Sequence, residues 1–216
     1  MLSALLISLL IGYGFGLFLT GYFLGKLENV DLTTVGSKNI GTTNTIRILG
    51  VHKGGLTLLG DCLKAVIPAA IVYLIFHGGH PGDIHFLMLV AAFGAVLGHD
   101  FPVYMGFKGG KGIATSAGLI LICFPKALPL LIIVFALIVF FTRYVSLGSI
   151  TVAVLFPIEV AILLLGHFTN WYLGYEIPAF LISLIACVLA VYKHRSNIKR
   201  LLEHSENKFS FHPNRD

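Results

Sequence analysis

Charged residues are scarce in this chain. Only 12% of its 216 residues are Asp, Glu, Lys or Arg and 56% are hydrophobic, whereas a soluble domain carries about 25% charged residues. This balance excludes an ordinary soluble domain and predicts an all-α, polytopic integral membrane protein with a single transmembrane domain over residues 1–216. The first apolar run, from Leu2, has no basic n-region and no clear cleavage site before Lys26. We therefore interpret it as a retained span.

Cysteines and metal-ligand patterns are also sparse. Cys62, Cys123 and Cys187 lie far apart in apolar segments, without CxxC or Cys/His spacing, which argues against disulfides and zinc sites. No cluster of His, Asp and Glu has metal-binding spacing, so we expect no metal and no cofactor. Basic and aromatic residues are not interleaved as in nucleic-acid-binding segments, so nucleic acid is not an expected partner.

Two catalytic motifs are incomplete or absent. A Walker A loop requires GxxxxGK followed by Ser or Thr. Here the spacing from Gly106 to Lys111 is one residue short, and Gly112 takes the Ser/Thr position. No histidine has an Asp five positions later, so the HxxxxD pair of other acyltransferases is missing. The sequence therefore argues against a nucleotide P-loop and against a CoA-dependent enzyme of the HxxxxD type.

Long apolar runs are what the sequence does have. Hydropathy marks six of them: Leu2–Gly25, Gly54–Phe76, Ile84–Leu97, Ile113–Phe141, Leu147–His167 and Ile177–Tyr192. A helix needs ~20 residues to cross the hydrocarbon core. The fourth run has 29 residues, and Pro125 and Pro129 interrupt it near its middle. We therefore predict a hairpin of two short helices, Ile113–Phe124 and Ala127–Phe141.

The distribution of Lys and Arg favours seven spans. With that hairpin, thirteen of the fifteen Lys and Arg residues fall on one face; only Lys126 falls opposite, and Lys64 lies within a span. Short basic loops mark the cytoplasmic side. We therefore expect the N-terminus outside, the C-terminus in the cytoplasm, and every polar motif on the cytoplasmic face.

Two polar, glycine-rich stretches interrupt the apolar runs: Gly36–Arg47 (GSKNIGTTNTIR) and Gly98–Thr115 (GHDFPVYMGFKGGKGIAT). Glycine lets backbone N–H groups approach an anion closely, while Lys, Arg, Ser and Thr add charge and donors. We interpret the two stretches as a phosphate-binding surface at the edge of the bilayer. Two alternatives stay open: the glycines serve close packing, or Thr42, Thr43 and Asn44 merely cap a short helix.

Asp61 and Lys64 are charged residues inside a predicted span. Such charges are costly in a bilayer and usually have a partner or a function. At i and i+3 the two residues share a helix face, so they form either a structural pair beneath the site or a direct contact with substrate. Glu159 lies in a later span, with no partner that the sequence identifies.

The two stretches occur together with Leu58–Lys64 (LLGDCLK), Arg143–Ser149 (RYVSLGS) and His194–Leu202 (HRSNIKRLL). Taken in chain order, these five segments resemble the bacterial acyl-phosphate:glycerol-3-phosphate acyltransferase family (PlsY-type) over nearly the whole chain. The resemblance implies acyl transfer from acyl phosphate to the sn-1 hydroxyl of glycerol 3-phosphate, giving lysophosphatidic acid and phosphate. We also expect a monomer in the bacterial cytoplasmic (inner) membrane, in contact with membrane lipid, with its site facing the cytoplasm.

The resemblance also implies site residues. Its catalytic residues would be Lys111, Ser37, His194 and Asn197, with Ser37 on the donor phosphate and Lys111 between the two phosphates. Further substrate-binding residues would be Gly36, Lys38, Asn39, Thr43, Asn44, Arg47, His99, Lys108, Gly109, Gly110, Arg143, Ser146, Ser149, Arg200 and Glu206. Two departures stand out: Lys38 replaces the usual glycine after the serine, and His204-Ser205-Glu206 replaces Gly-Thr-Glu.

Two questions stay open at the level of sequence. The proton released by the attacking hydroxyl could pass to the donor's own phosphate, to His194 or to His99. A transporter of a phosphorylated small molecule is the alternative function. Transport is disfavoured because the polar groups gather at one face, without midplane ligands or an evident inverted repeat.

Overall fold

The computed structural model describes residues 1–169 and 171–209, and regular structure in this part of the chain is entirely helical. The α-helices are α1 (Leu2–Gly16), α2 (Thr20–Leu27), α3 (Thr42–Leu49), α4 (Val51–Phe76), α5 (Ile84–Asp100), α6 (Ile113–Cys123), α7 (Leu128–Thr142), α8 (Val145–Leu165), α9 (Glu176–Lys193) and α10 (Arg195–Leu202). A short 3-10 turn, Val103–Met105, follows α5.

Five helical segments of the described chain are long and apolar enough to cross a membrane: Leu2–Leu27, Val51–Phe76, Ile84–Met105, Val145–Leu165 and Glu176–Lys193. The predicted break in the fourth apolar run is confirmed, since α6 ends at Cys123 and α7 begins at Leu128. Both are shorter apolar helices. The all-helical, membrane-embedded class is therefore confirmed, while the count of seven spans and the orientation of the termini stay predictions.

Helix α5 occupies the centre of the molecule. In its candidate span 78% of the residues are buried, against 22–33% in the other four. Helix α1 packs on it through small residues, and a Cβ added at Gly12 or Gly16 would overlap the backbone of Ala91 or Ala95. Close backbone approach of this kind is how helices associate in a bilayer, where burial of apolar surface gives little net gain.

The first span is interrupted between α1 and α2. The interruption frees carbonyl groups at Leu17 and Phe18, and an unsatisfied carbonyl is costly at membrane depth. Tyr104 Oη donates to the Leu17 carbonyl at 2.7 Å, and Lys64 Nζ donates to the Phe18 carbonyl at 3.2 Å. One role of the buried Lys64 ammonium is therefore to satisfy a broken helix.

Polar side chains near the helix ends form two separate groups of hydrogen bonds. In one group, Tyr175 Oη donates to Asp83 Oδ1 at 2.7 Å and Tyr172 Oη donates to the Cys123 carbonyl at 2.9 Å. In the other group, Lys111 of the second glycine-rich stretch donates to Asn197 of α10, and Ser146 near the start of α8 donates to Glu206. Residues of both glycine-rich stretches, of α8 and of α10 line one cavity, while the cytoplasmic orientation of the polar motifs stays a prediction.

Candidate functional site

An open cavity of about 630 Å³ lies among the polar motifs. One end is polar, with Ser37, Arg47, Lys111 and Asn197 in its wall. The other end is an apolar arm between α6, α7 and α8, lined by Ile120, Leu121, Leu128, Leu131, Ile132, Phe135, Val139, Val152, Ala153 and Phe156. A single cavity can therefore hold an anionic group at one end and an aliphatic chain at the other.

Asn44 organises the first polar loop. It is 1% exposed; its Oδ1 accepts from the Ser37 amide at 2.8 Å, and its Nδ2 donates to the carbonyls of Leu32 and Val35 at 3.3 and 3.1 Å. Asn44 therefore fixes the loop instead of capping α3, whose N-cap residue makes no side-chain cap bond. The Ser37 hydroxyl has no partner among the described residues and is left for a ligand.

The backbone of this loop is left-handed at two positions. Gly36 has φ +60° and Lys38 has φ +56°. Glycine adopts this region freely, whereas a side chain there is strained by about 1 kcal/mol. Lys38 thus keeps the conformation that a glycine would take and carries an exposed ammonium outside the cavity.

The second glycine-rich stretch folds back onto the end of α5. Gly109 N donates to the Asp100 carbonyl at 3.1 Å and Gly110 N to the His99 carbonyl at 3.0 Å. A Cβ at Gly110 would overlap the His99 imidazole, and Gly112 has φ +73°. The glycines are needed for this close packing, and its result is to place Lys111 in the cavity.

Lys111 is held by a chain of polar contacts. Its Nζ donates to Asn197 Oδ1 at 2.5 Å, and Asn197 Nδ2 donates to Glu206 Oε1 at 2.8 Å. Burial lowers the pKa of Lys111 to about 8; the Glu206 carboxylate opposes this shift, while the charges of Arg200 and Arg47 add to it. Lys111 is therefore mostly charged at neutral pH and sensitive to mild alkali.

Glu206 joins the C-terminal segment to the site. Besides Asn197, its carboxylate accepts from Ser146 Oγ at 3.1 Å and from Arg200 Nε at 2.7 Å. Arg143 binds the same segment three residues further along the chain. Its guanidinium donates to the Phe209 carbonyl at 3.1 and 3.3 Å, and Phe209 N donates to the Arg143 carbonyl at 2.7 Å. Arg143 and Arg200 therefore anchor this segment and do not line the cavity.

Arg47 lines the cavity from α3 and has an unused donor. Its Nη1 is buried and has no hydrogen-bonding partner among the described residues. Burial lowers the pKa of the guanidinium, which nevertheless stays charged, because Arg does not deprotonate in proteins. A buried, unpartnered N–H beside an open cavity is suited to an anionic ligand.

The two candidate histidines have opposite hydrogen-bonding roles. His194 Nδ1 lies 2.7 Å from the Ala190 carbonyl; a carbonyl only accepts, so the proton is on Nδ1 and Nε2 is an acceptor. Burial and the Lys111 charge lower the pKa of His194 to about 4, so the ring is neutral. His99 Nδ1 instead lies 2.5 Å from Lys64 Nζ.

The structure places many of the sequence-derived residues on the cavity wall: Ser37, Asn39, Thr43, Asn44, Arg47, His99, Lys111, Ser146, Ser149, His194, Asn197 and Glu206. Seven others do not line it: Gly36, Lys38, Lys108, Gly109, Gly110, Arg143 and Arg200. Thr42, Asp61, Cys62 and Ser116 also line the cavity, although they are absent from the set implied by resemblance. Of these, Asp61 had a signal in the sequence, namely a charge within a span.

The chain is similar to known proteins over nearly its whole length. A family model described as Glycerol-3-phosphate acyltransferase matches residues 6–204. A Glycerol-3-phosphate acyltransferase from Shouchella clausii is 36% identical over 211 residues, covering 96% of this chain and 97% of the relative. One from Fusobacterium nucleatum is 39% identical over 203 residues, covering 92% and 95%.

Two solved structures are also similar. One is a crystal structure of PlsY (YgiH), an integral membrane glycerol 3-phosphate acyltransferase, in its glycerol 3-phosphate form; the TM-score is 0.80 at 34% identity, over 95% of this chain and 96% of that one. The other is the lysophosphatidic acid form of PlsY, with a TM-score of 0.78 at 33% identity, over 96% of each chain.

Proposed function

Because the chain belongs to the glycerol-3-phosphate acyltransferase family, we propose that it transfers a fatty acyl group from acyl phosphate to the sn-1 hydroxyl of glycerol 3-phosphate. The products are lysophosphatidic acid and inorganic phosphate, in the first step of membrane phospholipid synthesis. The observation that carries this proposal is the two-part cavity, in which a cationic polar end continues into an apolar arm. A long-chain acyl phosphate has the same two parts.

The polar end supplies donors for two phosphate groups. The Ser37 hydroxyl would hold the donor phosphate, and Lys111 would lie between the two phosphates. The unpartnered Nη1 of Arg47 would bind glycerol 3-phosphate, together with Ser149 and Asn197. A guanidinium can grip a phosphate through two parallel hydrogen bonds, which gives orientation as well as charge.

The apolar arm would hold the acyl chain beside the reacting carbonyl. Ser146 and Ser149 lie at the polar end of α8, and Ala153 lies four residues further along the same helix. At 1.5 Å per residue this places Ala153 roughly 6 Å deeper. Chain and phosphate would thus be bound along one direction, with the carbonyl near the boundary between the two halves.

Direct attack by the substrate hydroxyl suits this arrangement. The mixed anhydride of an acyl phosphate has phosphate as its leaving group, so no acyl-enzyme on Ser or Cys is needed. The hydroxyl oxygen forms the new C–O bond while the C–O bond to phosphate breaks. Charge on the departing phosphate would be stabilised by Lys111 and by the Ser37 hydroxyl, both of which line the cavity.

The proton passes to the donor's phosphate in our proposal. As the bond to the carbonyl carbon breaks, the leaving phosphate oxygen gains negative charge and becomes more basic, whereas burial lowers the pKa of His194 to about 4 and makes its Nε2 a weak base. The proton therefore goes to the departing phosphate, and the unprotonated Nε2 of His194 orients the attacking hydroxyl by accepting a hydrogen bond. This assignment favours substrate assistance over a histidine base.

The remaining features are proposed on the charge distribution. We place the protein in the bacterial inner membrane with the cavity facing the cytoplasm, because short basic loops mark the cytoplasmic side and Arg47 and Lys111 line the polar end of the cavity. A monomer stays a prediction, on which the charge distribution has no bearing. Both substrates would then reach the site from the cytoplasmic side, one from water and one from the membrane. The transporter alternative gains no specific support from the cavity.

The test is a defined acyl-transfer assay. Purified protein in detergent is mixed with palmitoyl phosphate and glycerol 3-phosphate, without added metal or CoA, and phosphate release is measured together with lysophosphatidic acid. Equal yields are expected. Lys111→Ala should lower the rate at least about a hundredfold, while Lys199→Ala, on an exposed position of α10, should not. If folded wild-type protein forms neither product, the proposal is wrong.

A further inference from the structure

A buried polar cluster lies behind the glycine-rich loop that carries Lys111. It consists of Asp61 and Lys64 from α4 and His99 from α5, and these residues are 2%, 4% and 4% exposed. Asp61 and His99 also reach the cavity wall. None of the steps proposed above uses Lys64, although a buried ammonium is expensive to keep in a membrane protein.

The three contacts of Lys64 define its hydrogen bonds. Its Nζ lies 2.9 Å from Asp61 Oδ1, 3.2 Å from the Phe18 carbonyl and 2.5 Å from His99 Nδ1. Lys64 forms an ion pair with Asp61, and we take it as the ammonium of that pair, which has three N–H donors and no acceptor. Each of the three contacts must therefore be an acceptor, so His99 Nδ1 carries no proton and the ring proton lies on Nε2.

The Nε2 edge of His99 faces the loop and the cavity. It lies against Gly110, where an added Cβ would overlap it. Among the described residues Nε2 has no hydrogen-bonding partner, and the next residue along the loop is Lys111. The Nε2–H group is thus a fixed donor without an acceptor, placed at the wall of the anion-binding end.

We infer that Lys64 positions His99 as an Nε2–H donor to a phosphate oxygen held beside the Gly109–Lys111 loop. This inference rests on the proposed function, because that function supplies the phosphate. His99 is then a ligand of the anion and not a proton acceptor. His194 has the reverse arrangement, with its proton held on Nδ1 by the Ala190 carbonyl and Nε2 free to accept.

The position of the ring proton can be measured without any turnover. Nitrogen NMR of protein labelled with ¹⁵N-histidine distinguishes a protonated from an unprotonated ring nitrogen, and the His99→Gln difference spectrum identifies His99 among the nine histidines. We expect Nε2 protonated and Nδ1 unprotonated, with the Nε2 signal shifting when inorganic phosphate is added. A protonated Nδ1, or no response of Nε2 to phosphate, would overturn the inference.

Lys64 is tested in the same experiment. Lys64→Met alone would leave the Asp61 carboxylate buried and unpaired, which is strongly destabilising, so the double variant Asp61→Asn/Lys64→Met is used. If this variant folds, His99 should lose its single tautomer. If it does not fold, the wild-type spectrum and the position-99 variants below decide the question. A purely structural Lys64 would leave the tautomer unchanged in the folded double variant, and that result would refute the positioning role.

A matched pair of substitutions separates donor from base. The amide nitrogen of Gln can take the place of Nε2, whereas that of Asn takes the place of Nδ1. With palmitoyl phosphate and glycerol 3-phosphate, His99→Asn should lower kcat about a hundredfold, as loss of one donor to a developing charge does. His99→Gln should retain most of kcat. Equal losses in both variants would contradict a donor role.

Failure of this inference can be told apart from failure of the proposed function. Wild-type protein that makes lysophosphatidic acid but shows Nδ1–H at His99 keeps the function and loses the inference. Wild-type protein that makes no lysophosphatidic acid loses the function itself, and the inference with it.

Discussion

Lys111 should set the alkaline limit of activity. Its pKa is lowered to about 8, chiefly by burial, and only its charged form can stabilise a departing phosphate. A lysine is charged below its pKa, so raising the pH through 8 removes the charge. The sign is therefore loss of activity with rising pH, beginning well below the ordinary lysine range near 10.5.

The size of the effect follows from the charged fraction. With a pKa of about 8, Lys111 is about 90% charged at pH 7 and about 10% charged at pH 9. Since kcat/KM reports the free enzyme, it should fall about ninefold over this range. The substrate phosphates, with a second pKa of about 6, are already doubly ionised and should add little. Bound phosphate raises the lysine pKa, so kcat should decline at higher pH than kcat/KM.

The assay is the initial rate of lysophosphatidic acid formation between pH 6 and pH 10, at varied glycerol 3-phosphate. Lys111→Arg is the control, because a guanidinium stays charged over the whole range. That variant should be slower than wild type, because the larger, planar guanidinium does not fit the 2.5 Å contact that Lys111 makes with Asn197. Its activity should nevertheless not decline at alkaline pH. A flat wild-type profile to pH 10, or an unchanged decline in Lys111→Arg, would refute the reasoning.

Three further outcomes are expected. Arg47→Lys should raise the KM for glycerol 3-phosphate about tenfold because one planar grip is lost, and steady-state kinetics with an unchanged KM would remove Arg47 from the site. Lys38→Gly should raise the free energy of unfolding by about 0.5 kcal/mol, because relief of the left-handed strain exceeds the added freedom of the unfolded chain; a lower Tm in detergent would contradict this. Ala153→Phe should narrow the apolar arm and lower kcat/KM for palmitoyl phosphate about tenfold relative to octanoyl phosphate, whereas Val154→Phe, on a neighbouring position that is 45% exposed, should leave the preference unchanged.

Much of the fold could be predicted because its signals are local. Apolar length marks the long helices, and the break between α6 and α7 follows from Pro125 and Pro129, since proline removes a backbone donor. The extra break between α1 and α2 had no such signal. It depends on Tyr104 and Lys64, which satisfy the freed carbonyls from distant parts of the chain.

The candidate site was predictable in its residue types but only partly in its contacts. Ser37, Lys111 and Asn197 do meet at one cavity. Arg143 was expected among the substrate-binding residues, yet its guanidinium donates to the Phe209 carbonyl and it does not line the cavity. The sequence shows that an arginine is charged. Which acceptor its guanidinium contacts depends on where the C-terminal segment packs in the folded protein.

The sequence by itself determined the membrane-embedded helical class, the two glycine-rich stretches and the family, because hydropathy, glycine and motif order are written in consecutive residues. Only the tertiary structure decided which helices enclose the apolar arm, which of the predicted residues reach the cavity, and which groups the ring nitrogens of His99 and His194 contact. Those properties depend on contacts between residues far apart in the chain, such as Lys64 with His99 and Lys111 with Asn197. Distances of this kind depend on how the helices α4, α5, α6, α9 and α10 pack against one another. They cannot be predicted from a local sequence pattern.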